Sequence, residues 1–110
     1  RFTGKMASHK GVDFAGRDGA EILAVGAGVV TYSGDRYGYG DLVEINHGNG
    51  FVTRYAHNKI NLVAVGDKVE KGQTIALMGS SGRATGPNLH FEVLRGGHKV
   101  NPLEYIRAKD

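Results

Sequence analysis

The 110 residues contain no cysteine. That excludes a disulfide-stapled scaffold and removes thiolates from any metal site, leaving imidazole and carboxylate as the available donors. No apolar run approaches the length of a bilayer span, so no membrane span is expected in this stretch. Nor is there a basic run or a recognisable nucleic-acid module. The net charge of +3 is dispersed, and few of the 8% aromatic residues stand beside basic ones as a base-stacking platform requires, which argues against nucleic acid as a partner. No heptad or amphipathic stripe calls for assembly, and a monomer is expected. What is plentiful is glycine, 18 of 110 residues without a collagen period, about twice average usage. A glycine costs roughly 1 kcal/mol in a helix interior relative to alanine. The composition therefore points to an all-β chain of one domain, residues 1–110, with one core. With Arg1 in place of an initiating methionine and no signal-like segment, it reads as a fragment of a longer exported protein.

Short alternating or β-branched runs at 21–27, 29–32, 42–46, 51–56, 74–78 and 89–94, with Val69 between, read as strands. Glycine- and asparagine-rich turns separate them, and His47-Gly48-Asn49-Gly50 is the clearest hairpin. Val25-Gly26-Ala27-Gly28-Val29 rhymes with Val65-Gly66-Asp67-Lys68-Val69, as expected of two related hairpins folded onto one another. Residues 102–109, behind a possible cap at Asn101, have helical character, and a short C-terminal helical turn is expected there.

Chemistry concentrates in the histidines at 9, 47, 57, 90 and 98. In Ser8-His9-Lys10-Gly11-Val12-Asp13-Phe14, an extended chain puts His9, Gly11 and Asp13 on one side and Val12 and Phe14 on the other. Gly11 would leave room there for a metal and its water. In Asn88-Leu89-His90-Phe91-Glu92-Val93 the alternation is strict: the apolar set fixes the register and Asn88, His90 and Glu92 point the opposite way. Two imidazoles and one carboxylate with an open position suit catalytic zinc better than a closed structural site. His57 ends another strand, where it either reaches such a centre or stands as an exposed loop histidine. Glu92 is either a partner of the site or a solvated edge residue. His47 and His98, in turn-like contexts, read as ordinary exposed residues.

Three strings, His9-Lys10-Gly11-Val12-Asp13, Tyr55-Ala56-His57, and the run from Ser81-Gly82-Arg83 through Gly86-Pro87-Asn88-Leu89-His90-Phe91-Glu92-Val93, strongly resemble the LytM/lysostaphin-type zinc endopeptidases that cut peptidoglycan cross-bridges. Gly66-Asp67-Lys68-Val69 and Val100-Asn101-Pro102-Leu103 are similar to further strings of that family. The resemblance implies a mainly antiparallel, compact β-sandwich or barrel-like hybrid with a groove over a Zn2+ site. It implies His9, Asp13 and His90 as zinc ligands, and His57 as a catalytic residue assisting water or the tetrahedral intermediate. Peptidoglycan peptide stems are the implied substrate, outside the cytoplasm, in the periplasm or cell envelope. Tyr39, in a Tyr-Gly-Tyr-Gly loop, is either a substrate contact or one of two tyrosines covering the core edge of a glycine-rich hairpin, and Arg83 either meets a wall-peptide carboxylate or lies in a solvated turn.

One position departs from the pattern. Where the family carries His-x-His, with the first histidine usually assigned as a general base, this chain has Asn88. An amide orients water or substrate but accepts no proton at neutral pH, which lowers the expected activity. The alternative is a degenerate LytM-like module that binds the wall or activates a partner amidase. A biotinyl- or lipoyl-type carrier is a third reading, suggested by the string 65–73, but the modified lysine with its usual flanks is missing.

Overall fold

The structure is a computed structural model that describes residues 4–8, 11–82, 84 and 86–103. Ten strands are present among them: β1 (Gly4–Ser8), β2 (Gly11–Ala15), β3 (Glu21–Leu23), β4 (Gly28–Arg36), β5 (Gly40–Gly48), β6 (Phe51–Asn61), β7 (Lys68–Val69), β8 (Thr74–Met78), β9 (Asn88–Arg95) and β10 (His98–Val100). All pair antiparallel in one hydrogen-bonded sheet of order β1-β2-β9-β6-β5-β4-β7, with β10 on β9 and β8 joining β3 to β6.

Two expectations about the architecture are corrected. The path β1 to β7 is open, so no barrel closes among the described residues. No helix forms there either. Only Pro102 and Leu103 are helical, less than one turn, with the Leu103 N–H donating to Asn101 Oδ1 at 3.1 Å. The rest of the expected turn, 104–109, lies outside the described residues.

Side-chain alternation sorts the sheet into two faces. Val12, Phe91, Tyr55 and Val43 lie opposite one another across β2, β9, β6 and β5, and all are buried in the main core. The next row on the other face is Glu92, Arg54, Glu44 and Tyr32 across β9, β6, β5 and β4. One face is therefore oil and the other carries alternating charge.

The rhyming strings lie side by side: Gly28 pairs with Val69 and Val29 with Lys68. A Cβ at Gly28 would stand 2.5 Å from the Asn46 carbonyl oxygen, so the close approach of β4 and β5 requires glycine there.

β6 changes neighbour along its length. Residues 51–56 pair with β9, whereas Asn58, Ile60 and Asn61 pair with β8. At the junction the β5–β6 register slips, and His57 takes φ 69°, a left-handed conformation unusual for a residue with a side chain. The strand expected to stop at 56 thus continues through a bulge to Asn61.

Tyr55, 1% exposed, anchors the core from this strand. Its ring is 5.5 Å from that of Phe91, its oxygen accepts the Val25 N–H (3.2 Å), and it shares a hydrogen bond with Thr53 Oγ1 (2.8 Å). Thr53 in turn meets His47 Nε2 (2.7 Å), while His47 Nδ1 donates to the Ala27 carbonyl (2.7 Å). His47 is therefore tied into a polar chain leading to the core, a correction to its reading as an ordinary exposed residue.

Burial pushes the Tyr55 phenol up to about 12, against the lowering effect of its hydrogen bonds to Thr53 and Val25. A raised folded-state value means that the fold disfavours the phenolate. This contribution to stability is intact below the unfolded value near 10 and is lost as pH rises toward 12. Unfolding by urea at successive pH values should show stability falling across that window, and Tyr55→Phe should remove this part of the slope.

Candidate active site

β2 and β9 bring Asp13 and His90 directly opposite one another on the charged face. Asp13 Oδ1 lies 2.6 Å from His90 Nδ1, and Glu92 Oε2 lies 2.8 Å from His90 Nε2, so each ring nitrogen faces a carboxylate. The glycine that opens β2 makes this possible: a Cβ at Gly11 would fall 2.6 Å from His90 Cε1. The space beside Gly11, expected to receive a metal and its water, is filled by the His90 imidazole.

Glu92 is the hub, not a solvated edge residue. It is 3% exposed and accepts from the Tyr39 hydroxyl (3.1 and 3.3 Å), Arg54 Nη1 (3.4 Å) and Lys99 Nζ (3.4 Å) as well as from His90. Burial alone would raise its carboxyl. The hydrogen bond from His90, the charges of His90 and Lys99 and the Tyr39 hydroxyl outweigh that and hold it at about 2. His90 shows the converse balance: burial lowers its pKa, but the hydrogen bonds and charges of Glu92 and Asp13 dominate and raise it. Arg54 spans the row by donating from Nε to Glu44 Oε2 (2.8 Å), and Glu44 also accepts from Thr31 Oγ1 (3.0 Å). A chain of alternating charge thus runs Glu44, Arg54, Glu92, His90, Asp13.

His57 enters from the β6 bulge, 5.9 Å from His90 between ring centroids and 9% exposed, not free in a loop. Its backbone N–H donates to the Tyr39 carbonyl (2.8 Å), and Nδ1 lies 2.6 Å from the Ser81 carbonyl oxygen. A carbonyl only accepts, so Nδ1 carries a proton and the neutral ring keeps its lone pair on Nε2. The two loops supplying these carbonyls are locked together. Ser81 Oγ donates to the Asn58 carbonyl (2.7 Å) and accepts from the Asp41 N–H (3.0 Å), and Gly40 and Gly82 approach too closely for any Cβ. A strained residue held this firmly marks a place where geometry has been specified at a cost.

Asn88 shares the face of His90, but its Nδ2 donates to the Gly86 carbonyl (2.7 Å), within its own loop. Tyr39 closes a tight turn between β4 and β5, its ring 6.2 Å from that of His90. His98 is exposed. His9 and Arg83 lie outside the described residues, so the expected third ligand and the expected carboxylate contact are not placed. Neither Glu44 nor Arg54 is among the expected site residues. The signal available was the alternation of 53–57, which puts Arg54 on the side of the sheet opposite Tyr55.

Among the described residues, no group of three or more His, Cys, Asp or Glu side chains is arranged to hold a metal ion. The donor chemistry of the part described nevertheless fits zinc. An imidazole nitrogen and a carboxylate oxygen meet 2.6 Å apart between β2 and β9, and the other imidazole nitrogen is anchored by a buried carboxylate, as ligating histidines usually are.

A family model, Peptidase family M23, matches residues 7–102. The lipoprotein NlpD/LppB homolog of Pseudomonas aeruginosa is 44% identical over 96% of this chain and 36% of its own length. The peptidoglycan DD-endopeptidase ShyC of Vibrio cholerae is 42% identical over 91% of this chain and 23% of its own. The murein hydrolase activator NlpD of Escherichia coli is 42% identical over 96% and 28%. Among solved structures, the catalytic domain of the antimicrobial peptidase lysostaphin from Staphylococcus simulans superposes with a TM-score of 0.84 at 30% identity, covering 90% of this chain and 79% of that one. The chain therefore spans between 23% and 36% of the length of these curated relatives. No helix among the described residues is long and apolar enough to cross a membrane.

Proposed function

Because the chain belongs to peptidase family M23, we propose that it is a zinc-dependent endopeptidase, a domain that hydrolyses peptide cross-links of bacterial peptidoglycan outside the cytoplasm. The observation that carries this reading is the pair Asp13 and His90, 2.6 Å apart, with His57 poised on a strained bulge beside them. Asp13 Oδ1 and His90 Nδ1 would hold the metal, with His9 as the third ligand. Zinc, when bound, polarises a scissile carbonyl and lowers the pKa of water to about 7.

The chain's own groups account for the rest. Glu92 fixes the His90 ring through Nε2, so the opposite nitrogen keeps one direction. His57, protonated at Nδ1 by its bond to Ser81, offers Nε2 to take up a proton and return it to the leaving amine. Asn88 orients by hydrogen bonding and transfers no proton. Tyr39 positions Glu92 through its hydroxyl and lends its ring to the edge of the site.

Purified peptidoglycan digested with the zinc-loaded chain, and in parallel with chelator, tests this. Conversion of cross-linked fragments to monomers, resolved by liquid chromatography and mass spectrometry and abolished by chelator, is the expected result. No hydrolysis by the zinc-loaded chain would refute the activity. Two observations favour a second reading: Asn88 stands where the family's proton acceptor is expected, and several relatives are named as murein hydrolase activators. Stimulation of a peptidoglycan amidase by the metal-free chain would carry that alternative.

A further inference from the structure

Tyr39 is ringed by cations. The guanidinium carbons of Arg36 and Arg54 stand 5.6 and 5.7 Å from its ring centroid, and Lys99 Nζ stands 5.8 Å away. These side chains come from β4, β6 and β10, elements that are not adjacent in sequence. Two of the three charges are balanced locally, since Arg54 pairs with Glu44 and Glu92, and Lys99 with Glu92. Arg36 has no ion-pair partner among the described residues. It is exposed, yet its guanidinium is held within 5.6 Å of two rings, those of Tyr32 and Tyr39. Contact with ring faces immobilises a guanidinium without using its N–H donors, which stay available for a planar anion. The Tyr39 ring itself stands 6.2 Å from His90.

We propose that Arg36, with Lys99 against the same tyrosine ring, forms a carboxylate-binding subsite that selects peptides bearing an acidic group near the bond to be cut. The subsite rests on the endopeptidase reading for its position. An extended peptide advances about 3.3–3.6 Å per residue, so a chain engaged at His90 reaches Arg36 within about three residues. Glu92 cannot be the intended partner of Arg36, because it is buried and already surrounded by His90, Tyr39, Arg54 and Lys99. A neutral bridge such as oligoglycine would leave the Arg36 charge unanswered.

The test is an NMR titration of the metal-free chain with two N-acetylated alanine tetrapeptides, one ending in a D-alanine carboxylate and the other in its carboxamide. The carboxylate peptide is expected to bind about tenfold more tightly, the scale of one charge-assisted contact. Arg36→Gln should bring the ratio of the two affinities close to one, and Lys99→Gln should lower it less because Lys99 is shared with Glu92. Increasing salt should narrow the ratio for the unaltered chain and for Lys99→Gln, and leave that of Arg36→Gln near one. Melting curves of both variants provide the check on folding. Equal binding of both peptides by the unaltered chain would overturn the subsite while leaving the endopeptidase reading standing. Binding of neither peptide, together with no cleavage of peptidoglycan, would remove both.

Discussion

On the proposed endopeptidase reading, replacing Asn88 by histidine is expected to raise the rate of cross-link hydrolysis by the zinc-loaded chain by about 10²–10⁴, the usual contribution of a positioned general base. The amide at 88 has no titratable nitrogen, and its Nδ2 is spent on the Gly86 carbonyl of its own loop. An imidazole at the same point of β9 shares the face of His90, because 88 and 90 are two residues apart on one strand. It would add a titratable acceptor to the one that His57 offers. Initial rates of monomer release for the two proteins decide the matter. Equal rates would mean that His57 alone conducts the proton transfers and that position 88 only orients.

Removing the Glu92 carboxylate should be the most costly change to the charged face. Glu92→Ala is expected to destabilise the chain by about 3 kcal/mol, at the low end of the range for breaking a buried ion pair. The low end applies because Arg54 keeps Glu44 and Lys99 is close enough to solvent to rehydrate. Glu92→Gln preserves the shape and an acceptor for the His90 N–H, and should cost distinctly less. Urea unfolding of the three proteins measures both. A loss below about 1 kcal/mol for the alanine variant would place the cluster with ordinary surface pairs. The same substitution frees the His90 ring to rotate, so zinc affinity should fall with stability.

Much of this was legible in the sequence because β-structure writes its faces in alternation. Val12 and Phe14 against Asp13, and Phe91 and Val93 against His90 and Glu92, follow from a period of two and a single apolar core. Strand β8 matches its expected limits, 74–78. What could not be read is tertiary. Nothing local says that β6 will bulge at His57 and continue to Asn61, because that bend is imposed by Tyr39 and Ser81, contributed by loops distant in the chain. Likewise Glu92 reads as polar in a polar row, and only the convergence of Tyr39, Arg54 and Lys99 turns it into a buried hub. A strand as short as β10, three residues long, carries too few for a pattern and depends on its neighbour for pairing. The expected barrel failed for a related reason: closure needs β1 and β7 to meet, and no run of residues in either encodes that they should not.

The shared strand has a consequence for how the protein loses its competence. β6 is held by β9 over its first half and by β8 over its second, with His57 at the seam. Each half can open separately only by releasing that seam. Any partial opening that detaches β8 or β9 therefore relaxes the left-handed turn at His57 before the remaining strands separate. The site reports the integrity of the sheet on both sides of β6, and on heating its geometry should vanish when either β8 or β9 detaches, before the remaining strands separate.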